Sequence, residues 1–406
     1  MQVGALLLPI LISQRVKAMD QLKRVLYVHD RSIEADAANI IQVLKMCQAI
    51  AGNGYDLTLA VPESESQGEQ ALKDTINNTM GFYPKFSIIT YKKFTVFNKF
   101  KMLSAYFPVR RILREFKPDI VFLRNVVLTR AAMKTGTPFI YESHNSLMHN
   151  TSSFLNDYWS NHILRCAKSP LMRKFVVISE ALGQFWIVKG MPQELVLAVH
   201  DGFDTKSFQS PLTREDARAK LELPLNKRIV LYIGSLYKDR EIDKIIELAG
   251  KFDQARFIIV GGNPSEVELY ANLARETGVE NIEFKGRVNH IETPDYMYAA
   301  DILLMTWSKQ VKTINYCSPL KMFEYMAAGR VIVGHGFDTI REVLTDGVDA
   351  YLSNPDIEEE LAEKLRIAID SDSSEIGERA RQKAFSQYSW QNRATLIFDS
   401  LPSQST

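Results

Sequence analysis

The chain has 406 residues, 24 % charged and 46 % apolar, with a formal net charge of +1. Length suggests two domains, and the charge balance argues against a dedicated nucleic-acid binder. Three well-separated cysteines, Cys47, Cys166 and Cys317, fit neither a disulfide framework nor a zinc site and suggest a reducing, cytoplasmic setting.

The chain opens with residues 1–18, an N-terminal extension whose apolar stretch Gly4–Ile12 is too short to span a bilayer and has no cationic segment before it. Apolar strands are then predicted at Arg24–His29, Leu57–Val61, Phe86–Tyr91, Asp119–Arg124, Pro138–Ser143 and Phe175–Ser179, with a helix over Ala35–Gly52. A second series runs through Arg228–Gly234, Arg256–Gly262, Ile282–Gly286, Asp301–Thr306 and Val331–Gly334. Strand–helix alternation of this kind predicts parallel, doubly wound sheets covered on both faces. The polar stretch His200–Asn226, with Pro211 and Pro224, marks the join. Expected boundaries are 19–206 and 207–388 for two Rossmann-like domains, with 389–406 a helix returning to the first.

The most informative run is Ser318-Pro319-Leu320-Lys321, continuing through Glu324 to Gly329. Ser318 is a good N-cap and Pro319 suits the first helical position. The N–H groups of Leu320 and Lys321 then lack intrahelical partners at the positive end of the macrodipole, where Lys321 adds a full charge, so a diphosphate fits. Glu324, about a turn further on, is placed to accept from a ribose diol. The run also fits an ordinary amphipathic helix with a proline start. Its context favours a site: a long polar loop carrying Trp307, Lys309, Lys312 and Tyr316 separates it from the strand before it, where ligands of open parallel sheets sit. Cys317 adjoins this turn and reads best as a small loop residue.

At these residues the chain resembles the GT-B-fold retaining glycosyltransferases of family four, over nearly its whole length. Gly234-Ser235-Leu236 through Arg240 looks like the family's glycine-rich loop ending in a basic residue; Val260-Gly261-Gly262 resembles its Gly-Gly strand end; and Gly286-Arg287-Val288 its base-facing turn. Ser318–Lys321 with Glu324–Gly329, Ile340–Leu344, Tyr141-Glu142-Ser143-His144 and His200–Asp204 follow in the family's order. The resemblance implies an α/β GT-B fold, with the two domains facing a central cleft. It further implies an N-terminal acceptor-binding domain and a C-terminal nucleotide-sugar-binding domain.

Three features depart from that pattern. Tyr316 stands where the first of two paired glutamates is usual, Glu324 being the second; Ser235 replaces a common phosphate-binding arginine; and His29–Glu34 lacks a double glycine. Lys238, Arg240 and Lys321 are left as cationic candidates. Arg240 offers a fork for two phosphate oxygens and Lys321 a point charge, stabilising the departing diphosphate without a metal. Asp370-Ser371-Asp372 has the letters of a metal motif but follows a helical stretch and reads as a solvated helix end.

The expected donor contacts are Gly234, Ser235, Gly262, Arg287, Val288, Ser318, Pro319, Leu320 and Glu324, with His144, Arg240 and Lys321 as catalytic candidates. His144 either orients acceptor or sugar, or is a hydrogen-bonded core residue. No cofactor is expected beyond the nucleotide-diphosphate sugar, which serves as donor; the acceptor is expected to be a glycan or a lipid-linked molecule. The basic, aromatic segment Lys92–Lys117 is either a solvated helix with inward aromatics or a surface docking on anionic lipids, at the inner face of the cell membrane. The implied function is retaining sugar transfer in surface polysaccharide or glycolipid synthesis. A catalytically silent nucleotide-sugar-binding subunit, or an epimerase on the same fold, is the alternative.

Overall fold

The computed structural model describes residues 24–33, 38–63, 68–93, 104–145 and 153–402. The expected N-terminal extension, Glu34, and Phe94, Phe97, Lys99, Phe100 and Lys101 of the basic segment lie outside these. The chain divides into two compact units: residues up to His200 together with those from Trp390 onward, and Asp201–Ser389.

Among the described residues the first unit has seven strands: β1 (Arg24–Val28), β2 (Asp56–Pro62), β3 (Ser87–Tyr91), β4 (Ile120–Leu123), β5 (Phe139–Ser143), β6 (Met172–Val177) and β7 (Val196–Ala198), in spatial order β3-β2-β1-β4-β5-β6-β7. The second has six: β8 (Arg228–Ile233), β9 (Ala255–Val260), β10 (Ile282–Gly286), β11 (Ile302–Met305), β12 (Val331–His335) and β13 (Tyr351–Ser353), in order β10-β9-β8-β11-β12-β13. Every pairing is parallel. Both sheets are α/β doubly wound, as the apolar runs predict. Strands such as β4 and β11 are buried at every residue because helices cover both faces of their sheet. Neither β7 nor β13 was expected. Each has three residues at a sheet edge, and β7 is only half-buried, so neither leaves a continuous apolar run in the sequence.

Strand order reverses between β1 and β4 in one sheet and between β8 and β11 in the other, and ligands of such sheets bind beyond the carboxyl ends at this point. The Leu320–Ala328 helix follows β11, and Gly329 in the left-handed region ends it. Tyr325, fully buried, locks this helix to the sheet: its hydroxyl accepts from the N–H of Ile233 at 2.8 Å. The last helix, Trp390–Asp399, packs on Ala38–Gly52 within the first unit, where Asn53 donates to Thr395 Oγ1 at 3.0 Å. Among the described residues no helix is long and apolar enough to cross a membrane.

Candidate active site

The site in the second unit is made by backbone before side chains. The chain leaves β8 at Gly234 and β9 at Gly261-Gly262, where three strand ends close on one another: Gly234 N–H donates to Val260 O (2.9 Å) and Gly261 N–H to Gly286 O (2.7 Å). A Cβ on Gly261 would lie 1.9 Å from Gly234 O, and one on Gly262 would lie 2.5 Å from the Leu236 side chain; both residues have positive φ. Only glycine allows this approach.

After Gly234, Ser235 leads into a single 3-10 turn, Lys238–Arg240. Arg240 Nε donates to Ser235 Oγ at 3.4 Å, and its Nη1 is closed off from solvent 3.6 Å from Asp239 Oδ1, without a hydrogen-bond partner. Lys238 is exposed. Thr306, at the end of β11, donates to Arg240 O at 2.9 Å, and Ser308 N–H donates to Asp239 O at 3.1 Å, so the loop after β11 holds the arginine turn. Glu241 follows in the left-handed region (φ 57°), which costs a non-glycine residue on the order of 1–3 kcal/mol. Its carboxylate is gripped by His335 (3.2 Å) and Lys244 (3.4 Å).

The helix after β11 starts one residue later than its sequence suggests. Pro319 is the cap residue, Leu320 is the first helical residue, and no side chain caps the start. The expected cap, Ser318, is buried, and its Oγ instead accepts from Asp201 N–H at 2.9 Å. That bond satisfies the donor of the residue that opens this unit and leaves the helix N–H groups without a side-chain acceptor. Such an end is a ready anion site.

Lys321 stands in an unexpected setting. Its Nζ is closed off from solvent without a hydrogen-bond partner, 4.1 Å from the ring centroid of Tyr232 and 5.0 Å from that of Trp307. Burial, and secondarily the repulsion of Arg240, hold the amine well below its ordinary pKa. Glu324 faces His290 Nε2 at 3.4 Å. Arg287 is exposed and Val288 half-buried against the core. Gly234 touches Lys321: a Cβ there would lie 3.0 Å from Nζ. Asp370 and Asp372 are exposed at a helix end. Cys317 Sγ lies 3.6 Å from Thr339 Oγ1, and burial raises its pKa.

His144 belongs to the first unit, just beyond β5. Its Nε2 meets Glu142 Oε1 at 2.5 Å. Glu142, 1 % exposed, is also 3.0 Å from Arg393 Nη1 and 3.5 Å from Arg124 Nε. Burial alone raises such a carboxyl; Arg393, His144 and Arg124 outweigh it and hold Glu142 well below the ordinary carboxylate range. Arg393 also donates from Nε to His200 O at 3.0 Å. His29 nearby is pushed down to about 4 by burial and by Arg124.

Sequence reasoning missed Tyr232, His290, Glu241 and Arg393 as site neighbours and assigned no role to Trp307. An aromatic two residues before the strand-end glycine was the local signal for Tyr232, and Glu241 and His290 stand within three residues of Arg240 and Val288; Arg393, beside His144 in the first unit, comes from the last helix.

Comparison with known proteins shows the family and the fold. The family described as Glycosyl transferases group 1 matches residues 213–387, and Glycosyltransferase Family 4 matches residues 41–207. This chain belongs to that glycosyltransferase family, with the GT-B fold. Its curated relatives include a D-inositol 3-phosphate glycosyltransferase of Corynebacterium aurimucosum, 28 % identical over 50 % of each chain. Another is the lipopolysaccharide 1,2-N-acetylglucosaminetransferase of Salmonella typhimurium, 25 % identical over 54 % of this chain and 60 % of that one. The matches thus span only about half the length of these relatives. Among solved structures, Anabaena HepE in complex with UDP and glucose has a TM-score of 0.70 at 18 % identity, covering 92 % of this chain and 98 % of HepE. A Rickettsia africae glycosyltransferase reaches 0.74 at 16 %, covering 95 % and 100 %. At these identities the likeness is one of fold.

Proposed function

We propose that this chain is a metal-independent, retaining glycosyltransferase. In this reading it moves a sugar from a nucleotide-diphosphate sugar to a glycan or lipid-linked acceptor in surface polysaccharide or glycolipid synthesis. The observation that carries the reading is an uncapped helix N-terminus together with two basic side-chain groups, Lys321 Nζ and Arg240 Nη1, both closed off from solvent without hydrogen-bond partners. Fixed N–H dipoles and buried cations of this kind stabilise a departing diphosphate, where most of the developing negative charge lands. Gly261 and Gly262 let backbone come close to the nucleotide, Glu324 holds the ribose, and the acceptor attacks from the face the leaving phosphate occupies. His144, oriented by Glu142, meets the acceptor or the transferred sugar.

Tyr316 in the usual glutamate position supports a second reading, a nucleotide-sugar-binding subunit that does not turn over. A thermal-shift panel of UDP-, GDP- and dTDP-sugars, followed by nucleotide release with candidate acceptors, separates the two. Stabilisation with release supports the transferase; stabilisation without release for any acceptor supports the silent subunit; no stabilisation by any donor overturns both. Release should survive excess EDTA, and a collapse of rate restored by Mg²⁺ or Mn²⁺ overturns metal independence.

A further inference from the structure

Lys321 lies within the donor site in a setting unlike that of an ordinary surface cation. Its Nζ is enclosed by the rings of Tyr232 and Trp307 and by the Gly234 backbone, and it has no carboxylate partner among the described residues. The charged group facing it from the 238–240 turn is another cation, Arg240. The surrounding acids are committed elsewhere. Asp239 pairs with Arg240, Glu241 with His335 and Lys244, and Glu324, a turn further along the same helix, with His290. The two nearby phenols are neutral: Tyr232 donates to Ser235 O, Tyr325 accepts from Ile233 N–H, and burial pushes both above their ordinary range.

Two ring faces attract an ammonium, but they replace only part of the hydration that burial removes, and Arg240 opposes it. An amine in such surroundings sheds its proton, as buried lysines do. A diphosphate reverses this balance, because it brings the negative charge the surroundings lack.

We propose that a nucleoside diphosphate enters this site together with a proton: Lys321 stands between Tyr232 and Trp307 as a neutral amine and becomes an ammonium when the diphosphate lies against it. The proton comes from solvent, and the one bond formed is N–H. This inference rests on the reading of the site as a nucleotide-sugar diphosphate site. It deepens that reading by giving the lysine its charge only with ligand present. The sign of the linkage follows. The amine's pKa is higher in the complex than in the free protein, so affinity is full below the free-protein value. Between the two values affinity falls, by about tenfold per pH unit.

The test is calorimetry of UDP, GDP and dTDP binding to the full chain at about pH 8.5, where the terminal phosphate of the nucleotide is already ionised. Titrations in buffers of different ionisation enthalpy read the protons exchanged. The expected result is uptake approaching about one proton per nucleotide bound. Lys321→Arg, whose guanidinium is charged at every accessible pH, should bind without uptake and with a flat pH dependence. Lys321→Met should bind more weakly, also without uptake. Nucleotide binding to the wild type with no proton uptake overturns this inference and leaves the proposed function standing. Uptake that persists in Lys321→Arg also overturns it, because another group then takes the proton. If no nucleotide binds the wild type, the functional reading itself fails.

Discussion

Replacing Arg393 by methionine strips one charged partner from a buried carboxylate. Arg393 is 2 % exposed and Glu142 1 %, with Nη1 to Oε2 at 3.0 Å. Removing one partner of a buried pair costs about 3–5 kcal/mol, because the other charge is left in a medium that solvates it poorly. Arg124 at 3.5 Å and His144 at 2.5 Å still face Oε1, which puts this term near the low end, about 3 kcal/mol. Loss of the charged hydrogen bond from Nε to His200 O adds about 1–2 kcal/mol. Arg393→Met should therefore lose roughly 4–5 kcal/mol at pH 7. Glu142→Gln alone strands the arginine in turn. The double variant removes both charges and should recover about 2 kcal/mol or more relative to the sum of the singles. The pH dependence has a fixed sign. Glu142 is held below its unfolded-state value, so its contribution is full above about pH 4.3 and is lost as pH falls below that. The gap between wild type and Arg393→Met should narrow on acidification through that range. Urea unfolding read through the buried Trp186 and Trp390, both in this unit, gives the numbers. An Arg393→Met variant within about 1 kcal/mol of wild type, or strict additivity in the cycle, refutes the argument.

Other perturbations separate the parts of the proposed donor site and its surroundings. Gly261→Ala drives a methyl into Gly234 O at a positive φ; a loss of about 3 kcal/mol or more in the second unit is expected, and a variant as stable as wild type contradicts the close approach. Glu324→Gln should weaken nucleotide-sugar binding about 10- to 100-fold, whereas Arg240→Ala should lower kcat as well as kcat/KM, since phosphate charge grows during bond breaking. Calorimetry with single-turnover kinetics reads both, and unchanged donor binding in the first or a wild-type rate in the second removes that residue from the site. The Tyr106–Phe116 helix exposes Phe107, Arg111 and Arg114. If this face docks on anionic lipid at about 1 kcal/mol per basic group, vesicle binding should fall steeply with salt; equal partition onto neutral vesicles argues against it.

Much of the architecture was legible because buried parallel strands carry their signal locally. Val25–Val28, Phe257–Val260 and Leu303–Met305 are apolar runs whose burial on both faces needs no knowledge of their neighbours. The missed strands β7 and β13 show the limit: three residues at a sheet edge bury too little to leave a pattern. Helix starts lie between these cases. The Pro319–Leu320 opening was readable to within a residue, but Ser318 could cap it only if its hydroxyl were free, and Asp201, 117 residues away, had already claimed it.

By itself, then, the sequence determined two doubly wound sheets, the order of the glycine turns and the family to which the chain belongs. The sheets and turns come from backbone preference and apolar periodicity, which act over a few residues, whereas the family shows in the resemblance of the motifs. Only the tertiary structure decided the electrostatic state of the site. Lys321 reads as a free cation until Tyr232 and Trp307 are seen to enclose it. Glu142 reads as one residue of the Tyr141–His144 turn until Arg393, from the last helix, is found against it. Charge is governed by burial and by whatever lies within a few ångströms, and those neighbours are set by folding rather than by position in the chain.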